Sequence, residues 1–200
     1  MEKTVQLVLD LVSPNGYLMW WPLRDLVRRE GAGFDVVPVF LGGMHKLTGN
    51  APPFMRDADV RGKNEYAALE FDRFVRRHEL ARFRMNPAFP FNSILLQRML
   101  YAADQDGRGV YFAELMLKAV WEDGLDVADA DAVGAAIAAG DFDADDLLAR
   151  AGTDAVKQGL ADNTAQAVER GAFGIPTVFI GEEMFFGKER LGQIEEALIG

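Results

Sequence analysis

Ser13 is the residue whose type and place offer chemistry most directly. It ends the apolar, β-branched-rich run Val5 to Val12 and opens the turn cluster Ser13-Pro14-Asn15-Gly16, after which Tyr17 to Arg29 has helical spacing. The first turn of a helix leaves backbone N–H groups unpaired and carries partial positive charge, and proline suits its first position. A hydroxyl there has two uses. It caps its own helix, the commonest role of Ser before Pro, or it helps to hold an anion such as a thiolate. The chain has no cysteine, so thiolate chemistry requires a thiol brought by another molecule. A second candidate is Ile175-Pro176, which leads into the apolar stretch Thr177 to Ile180. Proline cannot donate to a strand ladder, so its place at a strand start points to a turn or to a ligand.

The elements that must position these residues follow from the hydrophobic pattern. After Gly31 and Gly33 stop the first helix, Phe34 to Phe40 reads as a second strand, made parallel to the first by the helical crossover. Leu41 to Pro53 is rich in Gly, Pro, Asn and Thr and reads as a long binding loop. Lys63 to Leu80, Ser93 to Asp106, Val110 to Glu122, Asp129 to Ala139 and Ala144 to Ala151 carry helical periodicity. Thr153 to Arg170 is a longer amphipathic helix stopped by Gly171. Thr177 to Ile180, Gly181-Glu182 and Met184 to Phe186 make a hairpin, and Lys188 to Leu198 closes the chain as a helix. The order βαβ, helices, αββα predicts an α/β fold with a mixed sheet. Residues 1–41 and 152–200 form its sheet domain, and 42–151 form a loop plus an all-helical insertion.

Composition sets the remaining bounds. At 200 residues and 50% hydrophobic, the chain can bury one core, or a core and a satellite, without disulfides or a metal. A net charge of −10 disfavours nucleic acid or an anionic membrane as a main partner. The N-terminus reads as a first strand rather than a signal peptide, and no apolar run reaches membrane-spanning length, so a cytoplasmic location is expected. His45 and His78 share no ligand spacing with each other or with acids, and no metal is expected.

Five segments carry a resemblance in matching order across essentially the whole chain. They are Asp10-Leu-Val-Ser-Pro14, Phe40 to Pro53, Lys63-Asn-Glu-Tyr66, Asn86-Pro-Ala-Phe-Pro-Phe-Asn-Ser93, and Gly171 to Arg190 with its Ile175-Pro176-Thr177. Together they resemble the 2-hydroxychromene-2-carboxylate isomerases and their kappa-class glutathione transferase relatives, DsbA-like members of the thioredoxin superfamily. The resemblance implies a thioredoxin-like mixed sheet with a helical insertion, glutathione as the source of the missing thiol, and a homodimer. It implies interconversion of 2-hydroxychromene-2-carboxylate and trans-o-hydroxybenzylidenepyruvate, in which a thiolate adds reversibly to the enone so that the double bond becomes single and can rotate. A kappa-class-like transferase that conjugates glutathione to electrophiles is the alternative, and a non-catalytic DsbA-like binding module is a third reading.

The same resemblance assigns roles. Ser13 would be catalytic, donating its hydroxyl hydrogen bond to the glutathione sulfur, and Ile175 beside Pro176 would pair with the cysteinyl backbone as a short strand addition. Asn50 and the Phe186-Gly187-Lys188-Glu189 junction would complete the glutathione site, with Glu189 on the γ-glutamyl ammonium and Lys188 on its carboxylate. Lys46 would meet the substrate carboxylate. Phe91 and Asn92, with Phe89, would line the substrate side, and Trp20, Trp21 and Phe54 could extend its aromatic face. Three positions depart from the family pattern: Lys188 replaces a small polar residue, Asn15 an aromatic, and Phe91 stands where a hydroxyl-bearing Tyr can occur. Read alone, Asn50 is equally a turn former, Lys46 a solvated lysine, Glu189 a first-turn acid and the aromatics core.

Overall fold

The structure, a computed structural model, describes residues 3–200. Its sheet is built from β1 (Thr4–Leu9), β2 (Gly33–Pro38), β3 (Thr177–Ile180) and β4 (Glu183–Phe186), in the order β2-β1-β3-β4. The central strand β1 runs parallel to β2, with Val5 opposite Phe34, and antiparallel to β3, with Val5 opposite Ile180. The two ends of the chain are thus zipped together across the intervening helices. Period-two alternation assigns the faces. Val5, Leu7, Leu9, Val178 and Ile180 join one core cluster, while Val8 and Phe179 join a second with Met44, Ala167 and Ile175.

Helix α1 (Pro14–Glu30) is nucleated by its own sequence. Ser13 supplies the cap, Pro14 takes the first position, and Gly31 at φ +66° closes the other end, with the Gly31 and Ala32 N–H groups donating to Arg28 and Val27 carbonyls. Its buried face, including Tyr17, Leu18, Trp20 and Leu23, lies on the larger core. Between β2 and the long helix α9 (Asp154–Glu169) come α2 (Leu41–Thr48), α3 (Pro53–Arg56), α4 (Lys63–Arg77), α5 (Ile94–Gln105), α6 (Gly109–Trp121), α7 (Ala130–Ala138) and α8 (Ala144–Ala151). A 3₁₀ turn at Lys188–Arg190 leads into α10 (Leu191–Ile199). Among the described residues no helix is long and apolar enough to cross a membrane.

Two sequence expectations are corrected here. The first strand ends at Leu9 rather than Val12, because the chain turns at Asp10, whose carboxylate Oδ1 accepts the Val12 N–H at 3.0 Å. The Gly-rich stretch expected as a loop from Leu41 to Pro53 instead forms α2, followed by the short α3. Phe40 offers no side-chain cap to α2. Residues distant in sequence substitute: Asp10 Oδ2 accepts the Leu41 N–H at 2.7 Å and Thr164 Oγ1 accepts the Phe40 N–H at 3.0 Å.

Candidate active site

Ser13 sits where β1 hands over to α1 and is 6% exposed. Its backbone is extended, at φ −87° and ψ 112°, and its Oγ accepts the Gly16 N–H at 3.1 Å. The cap therefore exists, and it uses the oxygen as acceptor. A hydroxyl keeps one O–H donor, and no hydrogen bond among the described residues engages the one on Ser13. Capping and donation to an anion are compatible uses of one atom. Tyr17, one turn further along α1, is differently placed: its O–H donates to Glu122 Oε1 at 2.9 Å, and burial followed by that carboxylate pushes its pKa well up.

Ile175 lies against this turn. A β-carbon built on Gly16 would stand 3.4 Å from Ser13 Cβ and 3.5 Å from Ile175 Cγ2, so only a glycine's width separates the two side chains. The Ile175–Pro176 peptide bond is cis. Pro176 contributes its carbonyl to Gly187, whose N–H donates at 3.0 Å, whereas neither the N–H nor the C=O of Ile175 pairs within the described chain. An unpaired backbone donor and acceptor beside a half-used hydroxyl can receive an extended peptide segment.

Asn50 and Phe186 gather on the same side. Asn50 Nδ2 donates to the Phe173 carbonyl at 2.7 Å, and its Oδ1 accepts the Ala51 N–H at 2.9 Å. Gly174 is hemmed in by both: an added β-carbon would lie 2.9 Å from Phe186 Cε2 and 3.9 Å from Asn50 Nδ2. Asn50 thus fixes the segment leading to Ile175. Gly187 has φ +98°, a conformation open to glycine, and turns the chain from β4 into the 3₁₀ turn.

Lys188 is buried and does not point to solvent. Its Nζ pairs with Glu189 Oε1 at 2.5 Å and lies 5.4 Å from the Phe74 ring centroid and 6.0 Å from that of Phe71, both on α4. The ammonium so ties the last strand–helix junction to the helical insertion. Because Glu189 already holds this cation, its charge is partly compensated.

The aromatic side of the site is organised by Trp121, which the sequence reading missed. Trp121 is fully buried at the end of α6, its indole N–H donates to the Leu11 carbonyl at 3.0 Å, and the Phe89, Phe91 and Phe83 rings lie within 6.1 Å of it. Phe54 in turn meets Phe89 edge-on at 6.1 Å. Trp20 is a correction: it is wholly buried against Phe34 and belongs to the core, so it presents no face to a ligand. Asn92 is exposed and its Oδ1 accepts the Ile94 N–H, capping α5. Lys46 is exposed on α2, and no hydrogen bond or ion pair among the described residues brings it to the other candidates. A groove of about 570 Å³ elsewhere, lined by Gln6, Asp35, Asp104, Asn163 and Arg170 among others, contains none of the candidates.

Beneath the Ser13 turn lies a second set of residues that sequence patterns did not single out. Gln97 Oε1 accepts the Leu11 N–H, and Gln97 Nε2 donates to the Leu9 and Val39 carbonyls at 2.9 and 2.7 Å. Asp10 is fully buried, and its carboxyl accepts hydrogen bonds from Leu41 N and Val12 N, with the buried Ser93 side chain as a further polar neighbour. Burial raises its pKa to about 6, against the lowering effect of those bonds. A polar residue directly before a strand-ending turn is the only sequence sign of this function.

A mixed sheet of this order, interrupted by helices and bringing a helix-capping Ser13 against Ile175-Pro176, defines a thioredoxin-like protein with a helical insertion. The model of the DSBA-like thioredoxin domain matches residues 4–199, and the chain belongs to that family. Among curated proteins it is similar to the 2-hydroxychromene-2-carboxylate isomerase of Pseudomonas sp. strain C18, 28% identical over 201 residues that cover 98% of this chain and 90% of the relative. It is equally similar to that of Sphingobium xenophagum, 28% identical over 202 residues that cover 100% of both chains. Among solved structures, a 2-hydroxychromene-2-carboxylate isomerase superposes with a TM-score of 0.83 at 23% identity, covering 98% of this chain and 94% of that one. A probable DsbA oxidoreductase from Streptomyces coelicolor superposes with a TM-score of 0.78 at 15% identity, covering 98% and 88%.

Proposed function

We propose that this chain is a glutathione-dependent isomerase that interconverts 2-hydroxychromene-2-carboxylate-type hemiketals and trans-o-hydroxybenzylidenepyruvate-type enones, working in the cytoplasm as a homodimer. The observation that carries this reading is the Ser13 hydroxyl at the start of α1, its oxygen fixed by the Gly16 N–H, in a chain without cysteine. The donor set fits glutathione: an O–H for sulfur, the backbone of Ile175 for a peptide, and the charged Lys188–Glu189 pair for a zwitterionic end. When bound, glutathione supplies a thiolate whose reversible addition to a conjugated enone frees rotation about the former double bond.

The chain's own residues do the remainder. Ser13 donates to the sulfur and, with the unpaired N–H groups of the first turn, favours its ionised form at neutral pH. Ile175 beside Pro176 holds the cysteinyl backbone as a strand extension, and Asn50 with Phe186, Gly187, Lys188 and Glu189 surrounds the γ-glutamyl end. Phe91 and Phe89, backed by Trp121, give an apolar face for the aromatic ring, Asn92 borders it, and Lys46 meets the carboxylate. Leu47, Met55, Val60 and Tyr66 leave apolar surface exposed along α2 to α4, which supports a second copy as the covering partner.

A kappa-class-like transferase is the second reading, favoured by the segment Phe40 to Pro53, which is similar to that of the kappa relatives. Turnover of 2-hydroxychromene-2-carboxylate with a limiting amount of glutathione separates the two. The isomerase completes many turnovers and returns the free thiol, whereas a transferase stops when the thiol is consumed. Turnover unaffected by removing glutathione would contradict both.

A further inference from the structure

Three parts of the candidate site come from separate stretches of chain: the Ser13 turn, α2 with Lys46 and the following Asn50, and the Phe91-Asn92 segment before α5. One side chain touches all three. Asp10 Oδ1 accepts the N–H of Val12, directly before Ser13, at 3.0 Å, and Oδ2 accepts the N–H of Leu41, the first residue of α2, at 2.7 Å. The buried side chain of Ser93, directly after Asn92, is a further polar neighbour that favours the ionised form of the same carboxyl. The Asp10 backbone carbonyl also accepts the Ser13 N–H at 3.0 Å. Neither Phe40 nor Ser93 caps its own helix with its side chain. The start of α2 relies on Asp10.

From this geometry we propose that Asp10 is a positioning residue that, in its ionised form, clamps the Ser13 turn, α2 and the start of α5 into one binding-competent arrangement. It touches neither thiol nor substrate. The functional half of the proposal rests on the glutathione reading above. Ionisation matters because N–H and O–H donors bind a carboxylate about twice as strongly as a neutral acid. The titratable groups on the elements around it are Tyr17, Arg24, Asp25, Arg28, Arg29 and Glu30 on α1, His45 and Lys46 on α2, Arg98, Tyr101 and Asp104 on α5, and Asp154, Lys157, Asp162 and Glu169 on α9. None of them contributes charge at Asp10, whose titration is governed by burial and by these hydrogen bonds alone. The clamp therefore loosens on protonation, near pH 6.

The test uses the full chain, Asp10→Asn and Ser93→Ala. Backbone amide shifts of Val12 and Leu41 are followed by NMR between about pH 5 and 8, and binding of S-methylglutathione, which has no titrating thiol, is measured by calorimetry over the same range. In the wild type both amides should share one midpoint near pH 6, and affinity should weaken roughly three- to tenfold below it. Asp10→Asn should abolish both transitions. Ser93→Ala, which removes a neighbour that favours the ionised form, should move both to higher pH, and this holds the proposal to account even if Asp10→Asn fails to fold. Amides or affinity that keep their transition in Asp10→Asn, or a midpoint unmoved in Ser93→Ala, would overturn it. A wild type that never binds S-methylglutathione would defeat the glutathione reading alone, and the clamp would then stand or fall on the amide titration.

Discussion

The Trp121 indole N–H donates to the Leu11 carbonyl at 3.0 Å, so the residue that backs the phenylalanine wall also holds the chain two positions before Ser13. Replacement by Phe keeps most of the ring volume and leaves a buried carbonyl without its donor. Trp121→Phe should lower unfolding free energy by about 1–3 kcal/mol, read by urea denaturation, and lower turnover beyond that loss. Unchanged turnover in the folded variant would separate the aromatic wall from the reaction.

Gly187 is placed where a side chain is strained. At φ +98° and ψ 147° an added β-carbon would also lie 2.9 Å from Glu189 Oε2. Gly187→Ala should cost about 1–3 kcal/mol of stability and weaken glutathione binding, because the Gly187 N–H fixes the Pro176 carbonyl next to Ile175. Thermal denaturation and calorimetry check the two effects separately.

Lys188 and Glu189 form an ion pair whose acid is 53% exposed, so the pair itself is worth at most about 1 kcal/mol. Lys188→Met keeps an unbranched apolar stem under Phe71 and Phe74 and frees the carboxylate. Stability should change by less than about 1 kcal/mol, and glutathione should bind more weakly as its γ-glutamyl carboxylate loses a cation. Unchanged or tighter binding would remove Lys188 from the γ-glutamyl site and leave Glu189 alone on the ammonium.

The Asp10 carboxyl gives a stability signature of definite sign. Its folded pKa of about 6 lies above the ordinary 3.8, so the stabilising contribution of the protonated form is complete below 3.8 and is lost as pH rises through 6. The loss amounts to about 3 kcal/mol. The unfolding free energy of wild type relative to Asp10→Asn should therefore fall by that order between acid and neutral pH, while binding moves the opposite way. A parallel pH dependence in the two proteins would rule out this titration.

Much of the fold was legible because its signals are local. Ser13-Pro14 announces a helix start, Gly31 its stop, and Gly181-Glu182 a hairpin, and all three occur as read. The Gly42-Gly43 stretch was not legible as α2 because what caps that helix, Asp10 and Thr164, lies far away in sequence. The site shows the same division. Ser13 lies beside Ile175, and Asn50 and Phe186 flank Gly174, a grouping that only the family resemblance suggested, whereas Trp121 and Gln97 reach the Ser13 turn from the helical insertion through long-range hydrogen bonds to Leu11. Trp20 and Trp21 are neighbours in sequence and identical in type, and only the turn of α1 decides that Trp20 is fully buried.

The central claim is that the Ser13 O–H stabilises a bound thiolate, and the ultraviolet absorbance of that thiolate, titrated with pH on the glutathione complex, measures it directly. In the wild type the bound thiol should ionise well below its free value, and in Ser13→Ala its pKa should return upward by about one unit or more, the loss of one charge-assisted hydrogen bond, with the fold intact. Identical thiol titrations in the two proteins would contradict the account.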